Sequence, residues 1–517
     1  MKTKNTIKSI AASALLCLSM SSCSDWLNVT MEDKIMENTL FSEYRGYMTA
    51  LNGVYLGLND IYSTTLSGGV LDVMAQYYNV TENINHNYKI YSGYKYSDSS
   101  FESFNYNVWS TLYTLLANVN VIIEHTADND GVLSDKQYSI IRGEALALRA
   151  FLHFDLLRLY GPIYSENSAA TCMPYQDSSS RDIQPMLPAN EVLAKVIADL
   201  KEAETLLQAY DPVLTEGVGN VATEDNGLSS YDYSFRQLRL NYYAVKLMLA
   251  RAYMWGGDTT NAYKVAKSEI IDKVTTDDLE VFPWTTKAEV EAQGKPGYLF
   301  SSEVFFSLYN TSRYTNVYSA LFSSSLPVTS RLTFYGTNIS GDSKVSTFYD
   351  DDNDYRKKVW AVVEPTDAEK EEASKNNTEA ATSLYCNKYI EFTNDASTTG
   401  TETYRYMIPL MRLSEAYLIA AEATTSKSEA FELINTVREH RNCMDLSDDA
   451  DLSKALTYEF AREMLGEGQL FYFYKRRAAE SLISGYSAEG EYSMVKTNYV
   501  WPTPQEELSK RVLVGSN

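Results

Sequence analysis

Between residues 136 and 160 the apolar side chains Ile141, Ala145, Leu148, Leu152, Leu156 and Leu159 recur at intervals of four, three, four, four and three. That is the period of an α-helix. Gly161-Pro162 supplies its stop signal. Phe151 and Phe154 add a second apolar stripe, so the helix is expected to pack on two sides within a layered array. Arg142, Arg149, Asp155 and Arg158 lie between the stripes and are expected to form ion pairs along and between helices. Similar patterns predict helices near 40–60, 105–126, 189–209, 237–256, 259–272, 411–424, 427–441 and 452–466, separated by long polar, tyrosine-rich segments.

These helices tend to come in pairs. In 237–272, Leu249, Ala250, Tyr253, Ala262 and Ala266 stand at the offsets of tetratricopeptide packing residues, with Gly256-Gly257-Asp258 as the turn. The pair at 411–441 carries Ala416, Ala420, Ala421, Ala423 and Ala430 in a looser register. The fold expected is mainly α: tetratricopeptide-like hairpins in a superhelical scaffold, with long irregular loops and little sheet. Such a scaffold offers extended surfaces for binding.

At the amino terminus Lys2, Lys4 and Lys8 precede an apolar run, Ile10 to Leu18, too short to span a bilayer. It reads as a secretory signal. Ser19-Met20-Ser21-Ser22-Cys23 is similar to a bacterial lipobox, which makes residues 1–22 a lipoprotein signal peptide and Cys23 the acylated first residue of a single domain, 23–517. An ordinary unlipidated signal would not need a cysteine at the cut. Ser24 lacks the aspartate that favours inner-membrane retention, so sorting to the outer membrane is expected, with the domain held by its lipid anchor.

The net charge of −23 repels phosphate backbones, and no basic patch offsets it, so nucleic acid is not an expected partner. Cys172, Cys386 and Cys443 are odd in number and widely spaced, fit neither a disulfide framework nor a CxxC motif, and are expected to be buried small hydrophobes.

Several blocks in order carry a family resemblance. They are Arg142-Gly143-Glu144-Ala145 through Leu148-Arg149-Ala150-Phe151 to Tyr160-Gly161-Pro162; Arg239-Leu240-Asn241 with Leu249-Ala250-Arg251-Ala252-Tyr253; and Pro409 to Tyr417 with Ala420-Ala421-Glu422-Ala423 and Ile434 to Arg438. Arg462-Glu463, Glu467-Gly468-Gln469 and Phe471 to Arg476 follow, then Pro502-Thr503-Pro504 with Glu507-Leu508. With the lipobox and Ser24-Asp25-Trp26-Leu27, the chain resembles the SusD/RagB family of nutrient-binding outer-membrane lipoproteins. It departs from the family's usual Asn-Pro and Gln-Asn-Pro-Gly-Tyr close, ending instead in a short tail, Ser509 to Asn517. The resemblance implies a helical, tetratricopeptide-like lid over a TonB-dependent transporter of the SusC/RagA type, facing the cell exterior. It implies capture of a glycan or, in some members, a peptide.

The ligand must be read from the residues. Forty-one tyrosines against four histidines suit stacking on sugar rings, with neighbouring polar groups bonding the hydroxyls. The densest cluster holds Tyr77, Tyr78, Tyr88, Tyr91 and Tyr94 with Asn85, His86 and Lys89. A second candidate surface lies in the irregular segment 305–350, with Tyr309, Arg313, Tyr314, Tyr318 and Tyr335, and Trp284 upstream. Tyrosine also fills half-buried seams between helices, so fewer than half of these rings are expected to meet ligand. Oligosaccharide or polysaccharide is the expected ligand. A peptide ligand, or a scaffold that binds only the transporter, are the alternatives.

No HExxH, GxSxG, P-loop or GxGxxG occurs, and a helical array is an unusual home for a glycosidase carboxylate pair, so an enzyme is not expected. No cofactor is implied. Asp350-Asp351-Asp352-Asn353-Asp354 invites a calcium loop, but Tyr355 stands where an EF-hand needs glycine and Ala361 where it needs glutamate. A solvated acidic turn is expected instead, and the histidines lack metal-ligand spacing.

Overall fold

The structure is a computed structural model that describes residues 31–80, 85–127, 131–219, 233–274, 280–294, 296–337, 339–341, 343–377, 382–392 and 402–515. The signal segment and Cys23 lie outside the described residues. Twelve helices carry the architecture. They are α1 (Met31–Leu40), α2 (Tyr44–Tyr62), α3 (Ser99–Ala127), α4 (Asp135–Tyr160), α5 (Ala189–Tyr210), α6 (Tyr242–Gly256), α7 (Thr259–Tyr263, running on as the π-helix Lys264–Ile271), α8 (Leu413–Ala423), α9 (Lys427–Glu439), α10 (Leu452–Glu463), α11 (Leu470–Arg476) and α12 (Gln505–Gly515). Sheet is sparse, and no helix among the described residues is long and apolar enough to cross a membrane. The mainly α, tetratricopeptide-like fold expected from the periodicity is the one observed.

Helix α4 is central because its composition leaves it no solvent face. Ser134 caps it in a reciprocal box with Gln137, and both apolar stripes are buried, against α5 on one side and α3 on another. Gly143 lets α4 and α5 close up: a Cβ there would stand 2.9 Å from Leu207 Cγ. The polar residues between the stripes pair as expected. Arg142 meets Glu202 at 2.9 Å, Arg149 meets Asp199 at 2.7 Å, and Arg158 Nε donates to Asp155 Oδ1 at 3.0 Å.

The α6–α7 hairpin starts where Asn241 caps α6, accepting from Ala244 N at 3.0 Å, and turns at Gly257, whose φ of +77° is open to glycine at little cost. Ala250, Ala262 and Ala266 are fully buried in it, so two helices meet backbone to backbone. The α8–α9 hairpin packs beside it.

Short strands cross-link distant segments. β1 (Thr171–Pro174) pairs antiparallel with β2 (Met186–Pro188) and β3 (Val304–Tyr309) with β7 (Met407–Arg412), while β4 (Thr333–Phe334), β6 (Ser383–Cys386) and β5 (Trp360–Val363) form a three-stranded sheet in the order β4-β6-β5. The segment 305–350 is therefore not irregular as expected: it contains β3, a π-helix Tyr314–Phe322, β4 and a short helix Lys344–Phe348. Cys172, Cys386 and Cys443 are free and buried.

The acidic turn also differs from expectation, because its carboxylates answer arginines rather than solvent. Asp354 pairs with Arg356 at 2.7 Å and Asp350 with Arg438 at 3.0 Å, while Asp351 accepts from the backbone amides of Met444 and Asn353, both at 2.8 Å. Asp352 extends into water beside Lys357, and Asp350 stays partly exposed beside its arginine. Among the described residues no group of three or more His, Cys, Asp or Glu is arranged for a metal.

Asp72 ties the amino-terminal third to the carboxy-terminal helices, accepting from Gly466 N at 2.7 Å and Gly468 N at 3.1 Å. Burial pushes its carboxyl up to about 8, against the pull of those amides and of Lys388. A folded-state value above the unfolded 3.8 means stability fully present below that unfolded value and lost as pH rises through about 8. Unfolding free energies from urea titrations between pH 5 and about 8 should fall by up to about 1.4 kcal/mol per pH unit from this group, and Asp72→Asn should flatten that component. An unchanged slope in the variant would refute the assignment.

Candidate functional site

The expected ligand residues sort sharply by depth. Tyr77, Tyr78 and Tyr94 are core: their hydroxyls donate to Ala461 O, to Gly68 O at 3.2 Å and to Met74 O at 2.6 Å, and burial pushes all three phenols up. In this conformation their ring faces meet protein. His86 is buried too, with Nε2 3.2 Å from Arg331 O and Nδ1 accepting from Tyr88 N, and burial lowers its pKa. Arg313 is buried over Tyr389 and Phe392 and donates to Met407 O and Ile390 O. Burial pushes its guanidinium down to about 10. Trp284 stacks on His440 with centroids 4.5 Å apart and 11° between planes, and Tyr417 lies 5.2 Å away, so its faces are largely used within the fold.

What remains at the surface forms a chain of neighbours. Asn85 is exposed, and Tyr88, Lys89 and Tyr91 are half-buried around the one-turn helix Lys89–Ser92. The rings of His86 and Tyr88 are 5.9 Å apart and those of Tyr88 and Tyr91 6.0 Å; Tyr91 leans edge-on against Phe104. This loop is fastened to residues 329–331 by Asn87 N donating to Thr329 O and Asn87 Nδ2 to Ser330 Oγ, each at 2.8 Å.

Residues 329–332 in turn bridge to the π-helix Tyr314–Phe322, since Leu332 N donates to Leu321 O at 2.9 Å. On that helix Tyr314 and Tyr318, four apart, stack with centroids 5.3 Å apart and planes 21° apart. Tyr318 is buried and donates to Asn387 Oδ1 at 3.2 Å, while Tyr314 is 39% exposed. Tyr309, equally exposed, ends β3 and lies edge-on to Tyr406 at 5.4 Å. Hydrogen bonds through residues 329–332 thus tie the two tyrosine-rich segments, which sequence keeps apart, to a common stretch of chain. Sequence reasoning did not select Arg331, Tyr385 or Asn387, because their place depends on β4–β6 pairing that no periodicity announces.

Chemically, the exposed residues offer an aromatic face backed by a second ring, with amide and hydroxyl groups nearby. It suits a flat polyhydroxylated ligand. Comparisons with known proteins agree with the fold and its class. Residues 328–514 match the model of the SusD family, and residues 25–215 match one described as starch-binding, associating with the outer membrane. A SusD-like protein of Formosa agariphila is 35% identical over 101 residues, 19% of this chain and only 18% of that relative's length. A SusD superfamily structure from Bacteroides thetaiotaomicron shares the fold with a TM-score of 0.67 at 19% identity, covering 90% of this chain and 98% of that one. A SusD-like carbohydrate-binding protein from Bacteroides vulgatus does so with a TM-score of 0.64 at 18% identity, covering 91% and 97%. With family models matched toward both ends and the family's fold across the chain, the protein belongs to the SusD/RagB family.

Proposed function

We propose that this protein captures an oligomeric glycan at the outer surface of the outer membrane and passes it to a TonB-dependent transporter of the SusC/RagA type, held there by a lipid on Cys23. The glycan lies along the strip from Tyr91 and Tyr88 to Tyr314, with Tyr309 at its far end and Asn85 and Lys89 at its margin. The observation that carries this reading is the Tyr314–Tyr318 stack: an exposed ring held rigid by a buried one loses little entropy on meeting a sugar face. The Bacteroides vulgatus neighbour is named as carbohydrate-binding, and one of the two family models as starch-binding, which supports the ligand class.

Calorimetry against neutral and acidic polysaccharides and a peptide digest tests it. One glycan class should release heat, and Tyr314→Ala and Tyr88→Ala should each weaken it about 10-fold, near the 1.4 kcal/mol of a lost ring contact. Heat from peptides with silence toward every glycan would overturn the ligand class. Co-purification of the transporter with silence toward both would leave only a scaffold.

A further inference from the structure

Buried arginines in this fold are answered closely by carboxylates. Arg236 meets Asp211 at 2.8 Å, Arg251 meets Glu415 at 2.5 Å, Arg412 meets Glu467 at 2.8 Å and Arg441 meets Glu303 at 2.7 Å. Among the described residues two depart from this: Arg313, which spends its donors on the Met407 and Ile390 carbonyls, and Arg331, for which no such carbonyl is at hand. Arg331 is 3% exposed, its Nε has no hydrogen-bond partner, and its nearest carboxylate, Glu369 Oε1, stands 3.5 Å from Nη2.

The looseness has a local cause. Glu369 closes the capping box of the helix Asp367–Lys375: its Oε2 accepts from Thr366 N at 2.7 Å and from Thr366 Oγ1 at 2.9 Å. To embrace Arg331 with both oxygens it would have to release the helix end. A guanidinium is built for two parallel bonds to one carboxylate at about 2.7–2.9 Å, and here it has one long contact and an idle Nε. Leaving such a buried donor unmatched costs about 1–3 kcal/mol, which an incoming carboxylate could recover.

Its position matters as much. The Arg331 carbonyl meets His86, next to Tyr88, and the following residue, Leu332, bonds Leu321 on the helix that carries Tyr314, so its backbone lies between the two tyrosine groups. The protein's net charge of −23 does not forbid an anion there, because charges beyond about 10 Å are largely screened at ordinary salt. His86, lowered by burial, adds no positive charge at neutral pH, and Glu369 is the acidic group that faces the guanidinium.

We infer that Arg331 reads a carboxylate on the ligand, so that the glycan bound along the tyrosine strip contains uronic acid, with Glu369 holding the guanidinium in place until the ligand's carboxylate takes it over. This rests on the glycan-binding reading above and narrows it.

The test uses the whole chain, purified in detergent, with calorimetry against oligogalacturonate, oligoalginate and glucuronate-substituted xylan, each beside its carboxyl-reduced form. At least one acidic form should bind about 10-fold or more tightly than its reduced partner, and the gap should shrink in high salt. Arg331→Gln should abolish that gap and Arg331→Lys keep part of it. Glu369→Gln, which removes the competing charge, should widen it; a merely structural arginine would not produce that result. Equal binding of acidic and reduced forms, or a gap unmoved by Arg331→Gln and Glu369→Gln, would overturn the inference and leave glycan capture standing. Should Arg331→Gln not fold, the response to Glu369→Gln alone decides. Silence toward both forms of every glycan would remove the broader reading together with this one.

Discussion

Arg441→Met should destabilise the protein by about 3–5 kcal/mol, the cost of stranding buried charge when one partner is deleted. The Arg441 guanidinium is fully enclosed, with Nη2 2.7 Å from Glu303 and Nε 2.8 Å from Glu463. Glu463 is shared: Arg412 reaches it at 3.0 Å and Arg356 at 2.8 Å. Burial alone would drive Glu463 up, yet the guanidiniums of Arg441, Arg412 and Arg356 overcome it and hold the carboxyl well below its usual range. Glu303 leans mainly on Arg441 and burial already raises it, so methionine at 441 leaves Glu303 to take up a proton or remain a buried anion. The double variant Arg441→Met/Glu303→Met should cost less than the single one, since it removes both desolvated charges. Urea unfolding with an unchanged m-value is the measurement. A shift below about 1 kcal/mol, or a double variant worse than the sum of the singles, would refute this account.

Lys475→Met should cost about 3 kcal/mol or more. The lysine lies on α11, fully buried, and its Nζ donates to Arg158 O at 2.7 Å, Leu159 O at 3.1 Å and Gly161 O at 2.7 Å. Those carbonyls end α4, where no further helical turn supplies N–H donors to them because Pro162 follows. Burial pulls the Lys475 pKa well below its usual range, and the helix dipole at this carboxyl end favours the charged form against that pull. Methionine matches the stem's length and strands the Arg158 and Gly161 carbonyls, while Leu159 O keeps the Trp501 amide; each stranded carbonyl costs about 1–3 kcal/mol. Hydrogen exchange should show the damage first in the last turn of α4 and at Trp501, whose amide bonds Leu159 O at 3.1 Å. Normal stability with normal protection there would show that water replaces the ammonium.

The helices were legible because α4, α5 and α6 bury stripes whose spacing the chain prints in order, and the small residues at 250, 262 and 266 announced a close hairpin. The helix expected from 237 starts instead at Tyr242, because Asn241 is a better cap than anything upstream and Arg236–Leu238 forms a separate turn. β3 and β7 were not legible, since each is six residues long, buried on both faces and paired across a hundred intervening positions. At the candidate site, tyrosine density marked two segments but carried no information about depth. Tyr77 and Tyr88 look alike in sequence, and only tertiary packing sends one hydroxyl to Ala461 and leaves the other ring half-open. Arg313 looked like a ligand contact because a cation among tyrosines often is one, whereas here it is a strut holding Ile390 and Met407.

Lys475 completes a helix that ended over three hundred residues earlier, and Asp72 waits for the amides of Gly466 and Gly468 in the same way. A ribosome delivers these groups in sequence order, so until the final stretch emerges, α4 has bare terminal carbonyls and Asp72 an unshielded carboxyl. The nascent chain is therefore open to proteases and to unproductive collapse for most of its synthesis, and closes late. Polypeptides that stop short of residue 475 should be degraded rather than accumulate as stable fragments.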